Sequence, residues 1–237
     1  MSVVSYTFFA FLAISILLYY LVPKKMQWII LLAASAYFYL MAGLQFLLVV
    51  VAEACVVYVI AMRMQKNLDE QEQMTQGLDR RAARSIKNDM KKKRKKVLVV
   101  GLVFVIGVLF IFKASGFCIN NINRILGLVS MAELPNWNLI APLGISFYSF
   151  MMISYLMEIY NGKAAAQKNF LKYLTYVLYF PHVTQGPIAS YKEVGPQLFA
   201  SHKFDYDRVV QGLWLIIWGY FKKLVIADRL ALFVTAV

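Results

Sequence analysis

Cysteine and histidine are nearly absent from this sequence, which has two residues of each among its 237. Cys55 and Cys118 lie in separate segments, so they form neither a CxxC pair nor a metal-ligand pattern. The sequence also lacks a Gly-x-Ser-x-Gly motif, a phosphate-binding loop and an internal repeat. These absences argue against thiol redox chemistry, zinc chemistry and serine hydrolysis, and we expect neither a metal nor a bound cofactor.

Acidic residues are scarce as well: 12 aspartates and glutamates face 25 lysines and arginines, which gives a net charge of +13. The charges are concentrated in a few segments, and 61% of all residues are hydrophobic, with a mean hydropathy of +0.61. Soluble domains contain only about 45–50% apolar residues. We therefore predict an all-α polytopic membrane protein.

The chain opens with three apolar runs of nearly membrane-spanning length, over 6–22, 26–41 and 44–62. About 20 apolar residues cross the hydrocarbon core as a helix. The first basic residues, Lys24 and Lys25, follow the first run, whereas a signal peptide carries its positive charge before the apolar core. We predict that residues 1–62 form three transmembrane helices.

A basic segment over 63–96 follows, and it contains the run KKKRKK at 91–96. By the positive-inside rule this loop is cytoplasmic, together with the lysine pair after the first helix, so the amino terminus is extracytoplasmic. Nucleic acid is not an expected partner, because the segment lacks interleaved aromatic residues and any known binding module. We expect a solvated connector that touches anionic lipid head groups. A fourth helix over 97–112 and an extracytoplasmic loop around Asn120 come next.

Beyond Pro135 the apolar segments become shorter, broken and partly polar. Such backbone persists at membrane depth only where it is buried in protein or lines a watery cavity. We therefore expect the second half to form a cavity wall from broken or re-entrant helices. The first of these helices is predicted to begin at Pro142 and to end at Asn161 and Gly162.

Glu158 is the ionisable residue of this predicted helix. Ser154 precedes it by one turn, so the two side chains share a face. Glu158 either lies at the membrane interface within reach of Lys163 or lines a polar cavity. Tyr148 and Tyr155 share a second stripe, where their hydroxyls either join helices or face the cavity.

The segment 179–191, YFPHVTQGPIASY, is a polar stretch between apolar ones. We predict a re-entrant or interfacial turn that borders the cavity. Gly186 permits a close backbone approach, and the ring of Pro187 fixes the φ angle of Pro187 itself. His182 either lines and packs this turn or takes part in chemistry.

The last segment predicts a helix that begins near Arg208, with Asp205 or Asp207 as its cap. Only about a dozen residues separate Arg208 from Lys222, which is short of the ~20 that a lone crossing requires. We expect this helix to be sheltered, tilted or lying flat. Lys222 and the lysine after it either bind phosphates of an acyl donor or snorkel to the cytoplasmic surface.

Three ordered segments, 142–163, 179–198 and 212–231, resemble consecutive signatures of the membrane-bound O-acyltransferase family. They are most similar to its alginate O-acetyltransferase-type branch, with D-alanyl transfer proteins as more distant relatives. The resemblance implies many helices around a central tunnel in the inner membrane of a bacterium. It also implies transfer of an acyl group from a cytoplasmic donor such as acetyl-CoA to hydroxyls of a cell-surface polysaccharide, with an extracytoplasmic acetyltransferase as partner.

The resemblance also selects candidate residues. Those expected to line the tunnel or bind the donor are Ser146, Tyr148, Glu158, His182, Gln185, Lys222 and Lys223. Those expected to shape the motifs are Pro142, Gly144, Pro181, Gly186, Pro187 and Asp228, the last paired with Arg229 or with a basic neighbour from elsewhere. No catalytic residue is assigned, because the family's histidine follows the Lys-Lys-x-x-x-Ala-Asp helix and these 237 residues stop short of it.

We accordingly expect residues 97–237 to be the N-terminal part of the acyltransferase core, truncated before the catalytic histidine region and inactive alone. One alternative is a non-catalytic membrane scaffold or binding subunit of an acylation system. A second alternative is D-alanyl transfer to teichoic acid. A small transporter would suit the intramembrane charges, but many transporters show an internal repeat, which this sequence lacks.

Overall fold

The computed structural model describes residues 5–128, 135, 139–183, 186 and 189–235. Throughout these described residues the regular structure is helical, and no strand occurs in them. They fall into two compact units, Met1–Ala200 and Ser201–Val237. The all-α fold predicted from hydropathy is confirmed.

The first unit begins with helices over the three N-terminal apolar runs. They are α1 (Tyr6–Leu21), α2 (Gln27–Ala42) and α3 (Leu44–Thr75), with a 3₁₀ turn at Lys24–Met26. Ser5 caps α1, since its hydroxyl accepts a hydrogen bond from the amide of Phe8 at 3.2 Å. Gly43, with φ of +140°, joins α2 to α3, in backbone geometry that a side chain would resist.

The expected loop over 63–96 is instead a helical hairpin. Helix α3 continues to Thr75, and α4 (Arg80–Leu128) begins only five residues later. The segment is rich in lysine, arginine, glutamine, glutamate and methionine, all of which favour helix. Pairs one turn apart reinforce it, such as Gln65 with Asp69 at 2.8 Å. Helix α4 also passes through Asn120, so the expected loop there is helical as well.

Arg94, a residue of the basic run, links the two arms of this hairpin. Its side chain is 6% exposed, although the lysines on either side of it are exposed. Its guanidinium donates to Gln71 Oε1 at 3.2 Å and to Asn67 Oδ1 at 3.5 Å, and it lies 5.5 Å from the ring centroid of Tyr160. One residue of the charge cluster is therefore a packing element, and its neighbours remain at the surface.

Helix α5 (Ile145–Tyr160) packs against both arms of the hairpin. At the crossing, a Cβ on Gly101 would lie 2.9 Å from Leu156 Cδ1 and 3.1 Å from Ile60 Cγ2. Small residues allow membrane helices to approach closely in this way. Beyond α5 the helices are short, as predicted: α6 (Phe170–Leu178), α7 (Phe180–Val183) and α8 (Tyr191–Phe199).

The boundaries of α5 differ partly from the prediction. The helix begins at Ile145 rather than at Pro142, whose carbonyl accepts a hydrogen bond from the amide of Ile145 at 3.2 Å. Gly144, with φ of +69°, interrupts the helical path between these two residues. The predicted end is confirmed, because Gly162 has φ of +67° and closes a Schellman motif in which Lys163 N–H donates to the Glu158 carbonyl at 2.8 Å.

The second unit consists of α9 (Tyr206–Phe221), a π-helical turn (Lys222–Ala227) and α10 (Asp228–Thr235). Asp205 caps α9 by accepting from the amide of Arg208 at 3.2 Å, whereas Asp207 lies in the first turn. The helix continues through the lysine pair, so the prediction that this segment is too short to cross a membrane is wrong. The lysines occupy the π-helical turn, where Lys223 Nζ lies 3.4 Å from Asp228 Oδ1.

Four helices among the described residues are long and apolar enough to cross a membrane. They cover Lys24–Ala42, Leu44–Thr75, Arg81–Gly127 and Tyr206–Ala231, and Tyr6–Leu21 is a shorter apolar helix. Together they make this a polytopic membrane protein.

We expect Arg94→Ala to destabilise the hairpin. The substitution removes hydrogen bonds made by a charged group, which contribute about 1.5–3 kcal/mol, together with the contact to Tyr160. Thermal unfolding in detergent measures the change, with Lys93→Ala as the matched control, because Lys93 is the exposed neighbour. Equal unfolding temperatures for the two variants would contradict the anchoring role.

Candidate functional site

Helix α7 carries the Pro-His-Val part of the second motif and is held by its neighbours. Four residues are too few to form a stable helix alone. The amide of Phe180 donates to the hydroxyl of Ser35 on α2 at 3.2 Å, between two buried residues. The ring of Phe180 lies 5.1 Å from Phe11 and 6.1 Å from Phe38. Helices α1 and α2 therefore fix the position of this motif.

Two motif glycines lie directly against the backbone of α7. A Cβ on Gly144 would collide with the carbonyl oxygen of Val183. A Cβ on Gly186 would come within 2.5 Å of His182 Cα, and the Gly186 amide donates to the His182 carbonyl at 3.0 Å. Both positions need glycine because two backbones meet there. The first and second motifs thus pack together through glycine.

His182 is half-buried on α7, with its ring edge-on to Tyr179 at 5.0 Å between centroids. Its Nδ1 is buried and has no hydrogen-bond partner among the described residues. Burial lowers the pKa of this imidazole, which favours the neutral ring at neutral pH. Pro181 is exposed beside it. Gln185 and Pro187, also selected from the sequence, lie outside the described residues.

A layer of buried tyrosines ties the segments around α6 to α5. The Tyr155 hydroxyl accepts from the amide of Gln167 at 2.9 Å, and the Gln167 side chain donates to the Tyr191 hydroxyl at 3.0 Å. The Tyr176 hydroxyl donates to the carbonyl of Ala189 at 2.6 Å. The ring centroids of Tyr155 and Tyr191 are 4.9 Å apart. This layer holds residues 189–191 beside the end of α5.

A polar cavity of about 440 Å³ lies at that end of α5. Its lining residues are Ser154, Met157, Glu158, Asn161, Lys163, Ser190, Lys192 and Glu193. Hydroxyl, amide, ammonium and carboxylate groups therefore converge on one opening. Of the tunnel or donor-binding candidates that the structure describes, Glu158 alone lines it, and Gln185 lies outside the described residues.

Glu158 is the buried carboxylate of this cavity, and its side chain is 9% exposed. Its Oε1 accepts from the Ser154 hydroxyl at 3.2 Å, and its Oε2 accepts from the backbone amide of Lys192 at 2.9 Å. The shared face predicted for Ser154 and Glu158 is confirmed. Lys163 lines the same cavity, and among the described ion pairs none joins it to Glu158. Both positions considered for Glu158 therefore stay predictions.

The cavity lies at the same end of α5 as the basic hairpin. Arg94 of the hairpin lies over the ring of Tyr160, the last residue of α5. The amide of Ala166 donates to the Gln65 side chain at 2.9 Å, and the Tyr58 hydroxyl donates to the carbonyl of Lys168. These contacts bind the segment after α5 to α3. The cavity and the basic charge cluster therefore face the same side of the first unit.

The other candidates are distributed along the chain. Ser146 is half-buried at the opposite end of α5, about 18 Å from Glu158 at the helical rise of 1.5 Å per residue. Tyr148 is fully buried and does not line the cavity. In the second unit, the Lys222 ammonium lies 5.4 Å from the ring centroid of Trp218, and Asp228 has Lys223 as its basic partner.

Several site residues were missed in the sequence. Ser190 and Lys192 line the cavity from the middle of the second motif, and no local pattern marks them. Glu53 was missed as well, although a single carboxylate within an apolar run of α3 is itself a signal, since ionisable residues inside membranes are rare and functional. Its side chain is only 2% exposed.

Crowding at α7 gives a prediction for the motif glycines. Gly144 and Gly162 both have φ near +70°, so alanine at either position pays the left-handed penalty of about 1–2 kcal/mol. Only Gly144 also faces a backbone oxygen, whereas nothing lies within 4 Å of a Cβ on Gly162. We expect Gly144→Ala to cost about 1–3 kcal/mol more than Gly162→Ala, as measured by unfolding in detergent. Equal losses would contradict the close approach.

Comparison with known proteins gives relatives of one kind. The chain is 30% identical over 223 residues to the probable alginate O-acetylase AlgI of Pseudomonas aeruginosa, covering 94% of this chain and 39% of the relative. It is 30% identical over 162 residues to the peptidoglycan O-acetyltransferase of Helicobacter pylori, covering 57% and 30%. It is 33% identical over 94 residues to the teichoic acid D-alanyltransferase of Bacillus subtilis, covering 39% and 24%.

No family model matches the chain, and no solved structure matches it. The chain spans about two fifths of the length of the alginate O-acetylases that it resembles. The relatives are all named as acyltransferases, and similarity to the first covers nearly the whole of this sequence. Together with the three motifs and the all-α membrane fold, this similarity shows that the chain belongs to the membrane-bound O-acyltransferase family.

Proposed function

We propose that this chain serves an O-acyltransferase that moves an acyl group, in the first instance acetyl, from a cytoplasmic donor to hydroxyls of a cell-surface polysaccharide. The observation that carries the proposal is the polar cavity around Glu158, on the side of the basic hairpin. The names of the relatives support the reaction class, since one is named a probable alginate O-acetylase and another a peptidoglycan O-acetyltransferase.

The side on which the donor enters follows from charge. Basic segments stay in the cytoplasm, and the hairpin carries the run KKKRKK at 91–96. The cavity shares that side, so it opens to the cytoplasm, and the amino terminus is extracytoplasmic. In a bacterium the chain then lies in the inner membrane, with its cavity in the compartment that supplies acetyl-CoA.

The groups around the cavity suit an acyl-CoA donor. Lys163 and Lys192 are exposed at its rim, and lysine ammonium groups bind phosphates as point charges. Glu158 lies at the back, where it holds the Lys192 backbone by a hydrogen bond. We assign Glu158 a positioning role: it orders the rim segment that meets the donor. Lys222 of the second unit is a further candidate for contact with donor phosphates.

The reaction itself is attack of an acceptor hydroxyl on the acyl thioester. A carbon–oxygen bond forms, the carbon–sulfur bond breaks, and the hydroxyl proton passes to the thiolate of the released CoA. Proton transfer of this kind is assisted by a positioned base, most often histidine. We assign this chain the donor side of the reaction and no general base. An extracytoplasmic acetyltransferase that completes transfer to the polysaccharide is the proposed partner.

The proposal predicts that Glu158→Gln lowers O-acylation in cells. An amide in place of the carboxylate loses an acceptor oxygen and turns an NH₂ group towards the Ser154 hydroxyl or the Lys192 amide. We expect O-acyl groups on surface polymers to fall about tenfold, which corresponds to about 1.4 kcal/mol. Mass spectrometry of polymers from cells expressing the full-length gene provides the measurement, and it also distinguishes acetyl from D-alanyl esters.

Glu193→Gln is the matched control, because Glu193 lines the same cavity but is exposed. Immunoblotting of membrane fractions confirms equal amounts of both variants. Unchanged O-acylation in Glu158→Gln would contradict the role of the cavity. Surface polymers that carry no esters dependent on the intact gene would contradict the acyltransferase function itself.

A further inference from the structure

Helix α3 carries a buried carboxylate near the middle of its apolar segment. Glu53 follows Leu44, the first residue of α3, by nine residues and precedes Arg63 by ten. At 1.5 Å per residue it lies about 15 Å from each, which is half of a hydrocarbon core of about 30 Å. Its side chain is 2% exposed, and both carboxyl oxygens are buried without a hydrogen-bond partner among the described residues.

Tyrosines from three other helices lie within electrostatic reach of this carboxyl group. Tyr39 of α2, Tyr148 of α5 and Tyr173 of α6 each interact electrostatically with Glu53. Within the described part of the chain their hydroxyls are also buried without a hydrogen-bond partner. The Tyr148 hydroxyl faces the Glu53 carboxyl group closely enough for an interaction, but the pair does not meet hydrogen-bond geometry.

Three other buried tyrosines of the first unit do have hydrogen-bond partners. Tyr155, Tyr176 and Tyr191 are also buried, yet each of their hydroxyls has a backbone or side-chain partner at 2.6–3.0 Å. Folded proteins leave few buried polar groups unsatisfied, because an unpaired buried donor or acceptor destabilises the fold. A buried carboxyl group near buried phenols, all without a partner among the described residues, therefore points to a ligand at this junction.

We propose that Glu53, Tyr39 and Tyr148 form an internal hydration site, which holds water between α2, α3 and α5 at mid-membrane depth. Water fits because it both donates and accepts, as carboxyl and phenol groups require, and a buried water makes about three hydrogen bonds. Metal-ion chemistry fits less well, since the described residues contain no group of three or more histidine, cysteine or acidic side chains that could hold a metal ion.

The site has a consequence for the interior of the first unit. The helices that meet there are otherwise joined by apolar and aromatic packing. Water bound at this junction places a polar site inside the helix bundle, halfway between its two membrane faces. Two of the helices that form this polar site, α2 and α5, also contact the short helix α7. This inference does not depend on the acyltransferase function, since it concerns only what fills the junction.

Millisecond X-ray radiolysis of the full chain in lipid nanodiscs tests the site. The pulse generates hydroxyl radicals from water bound beside a side chain, and mass spectrometry locates the oxidised residues. We expect oxidation of Tyr39 and Tyr148, although both are fully buried. Tyr176 is the matched control, because it is equally buried and its hydroxyl donates to the Ala189 carbonyl. We expect it to remain unmodified.

Variants show whether the water depends on Glu53. Glu53→Leu removes the carboxyl group, and we expect loss of oxidation at both tyrosines. Tyr148→Phe removes a single hydroxyl, and we expect lower oxidation at Tyr39, which provides a second measurement if the leucine variant does not fold. Oxidation of Tyr39 and Tyr148 no faster than that of Tyr176 in the unaltered chain would overturn the proposal. Oxidation that changes when Na⁺ or K⁺ is replaced by choline would assign the site to a cation instead of water.

Discussion

The contact between Gly144 and the carbonyl of Val183 is the constraint on which the second half of the first unit depends. It brings the start of α5 against α7 with no side chain between them. Helix α7 also bonds to Ser35 and packs on Phe11 and Phe38. The contact with Gly144 therefore fixes the start of α5 relative to α1 and α2. Glu158 lies near the other end of α5. The position of the cavity therefore depends on a contact at the opposite end of that helix.

Buried polar groups in this unit follow two different rules. In the tyrosine layer around α6, loop backbone at Gln167 and Ala189 satisfies the hydroxyls, and the bonds fix the loops in return. Around Glu53 the neighbours are helices whose backbone groups already bond within each helix, so no backbone donor is available to the carboxyl group. The same residue type is therefore a structural fastener in one place and part of a ligand site in the other.

Much of the fold could be predicted from hydropathy, but the position of the polar residues could not. The pairing of Ser154 with Glu158 and the cap at Asp205 follow from local spacing, and both were predictable. The helical hairpin over 63–96 was not, because charge indicates a side of the membrane and says little about whether the backbone is helical. Ala166 meets Gln65 across 101 residues, and no local pattern encodes such a contact. Glu53 is visible in the sequence as a single carboxylate within an apolar run, but a hydropathy average over that run does not register it.

The π-helical turn at Lys222–Ala227 changes the phase of the helix that follows. In a regular helix the partners on one face are three or four residues apart, whereas Lys223 pairs with Asp228 at five. The turn holds one residue more than an α-helical turn, so every side chain of α10 is rotated by roughly 100° from where an unbroken α9 would have placed it. A helical wheel drawn through 206–235 without that offset assigns the residues of α10 to the wrong face.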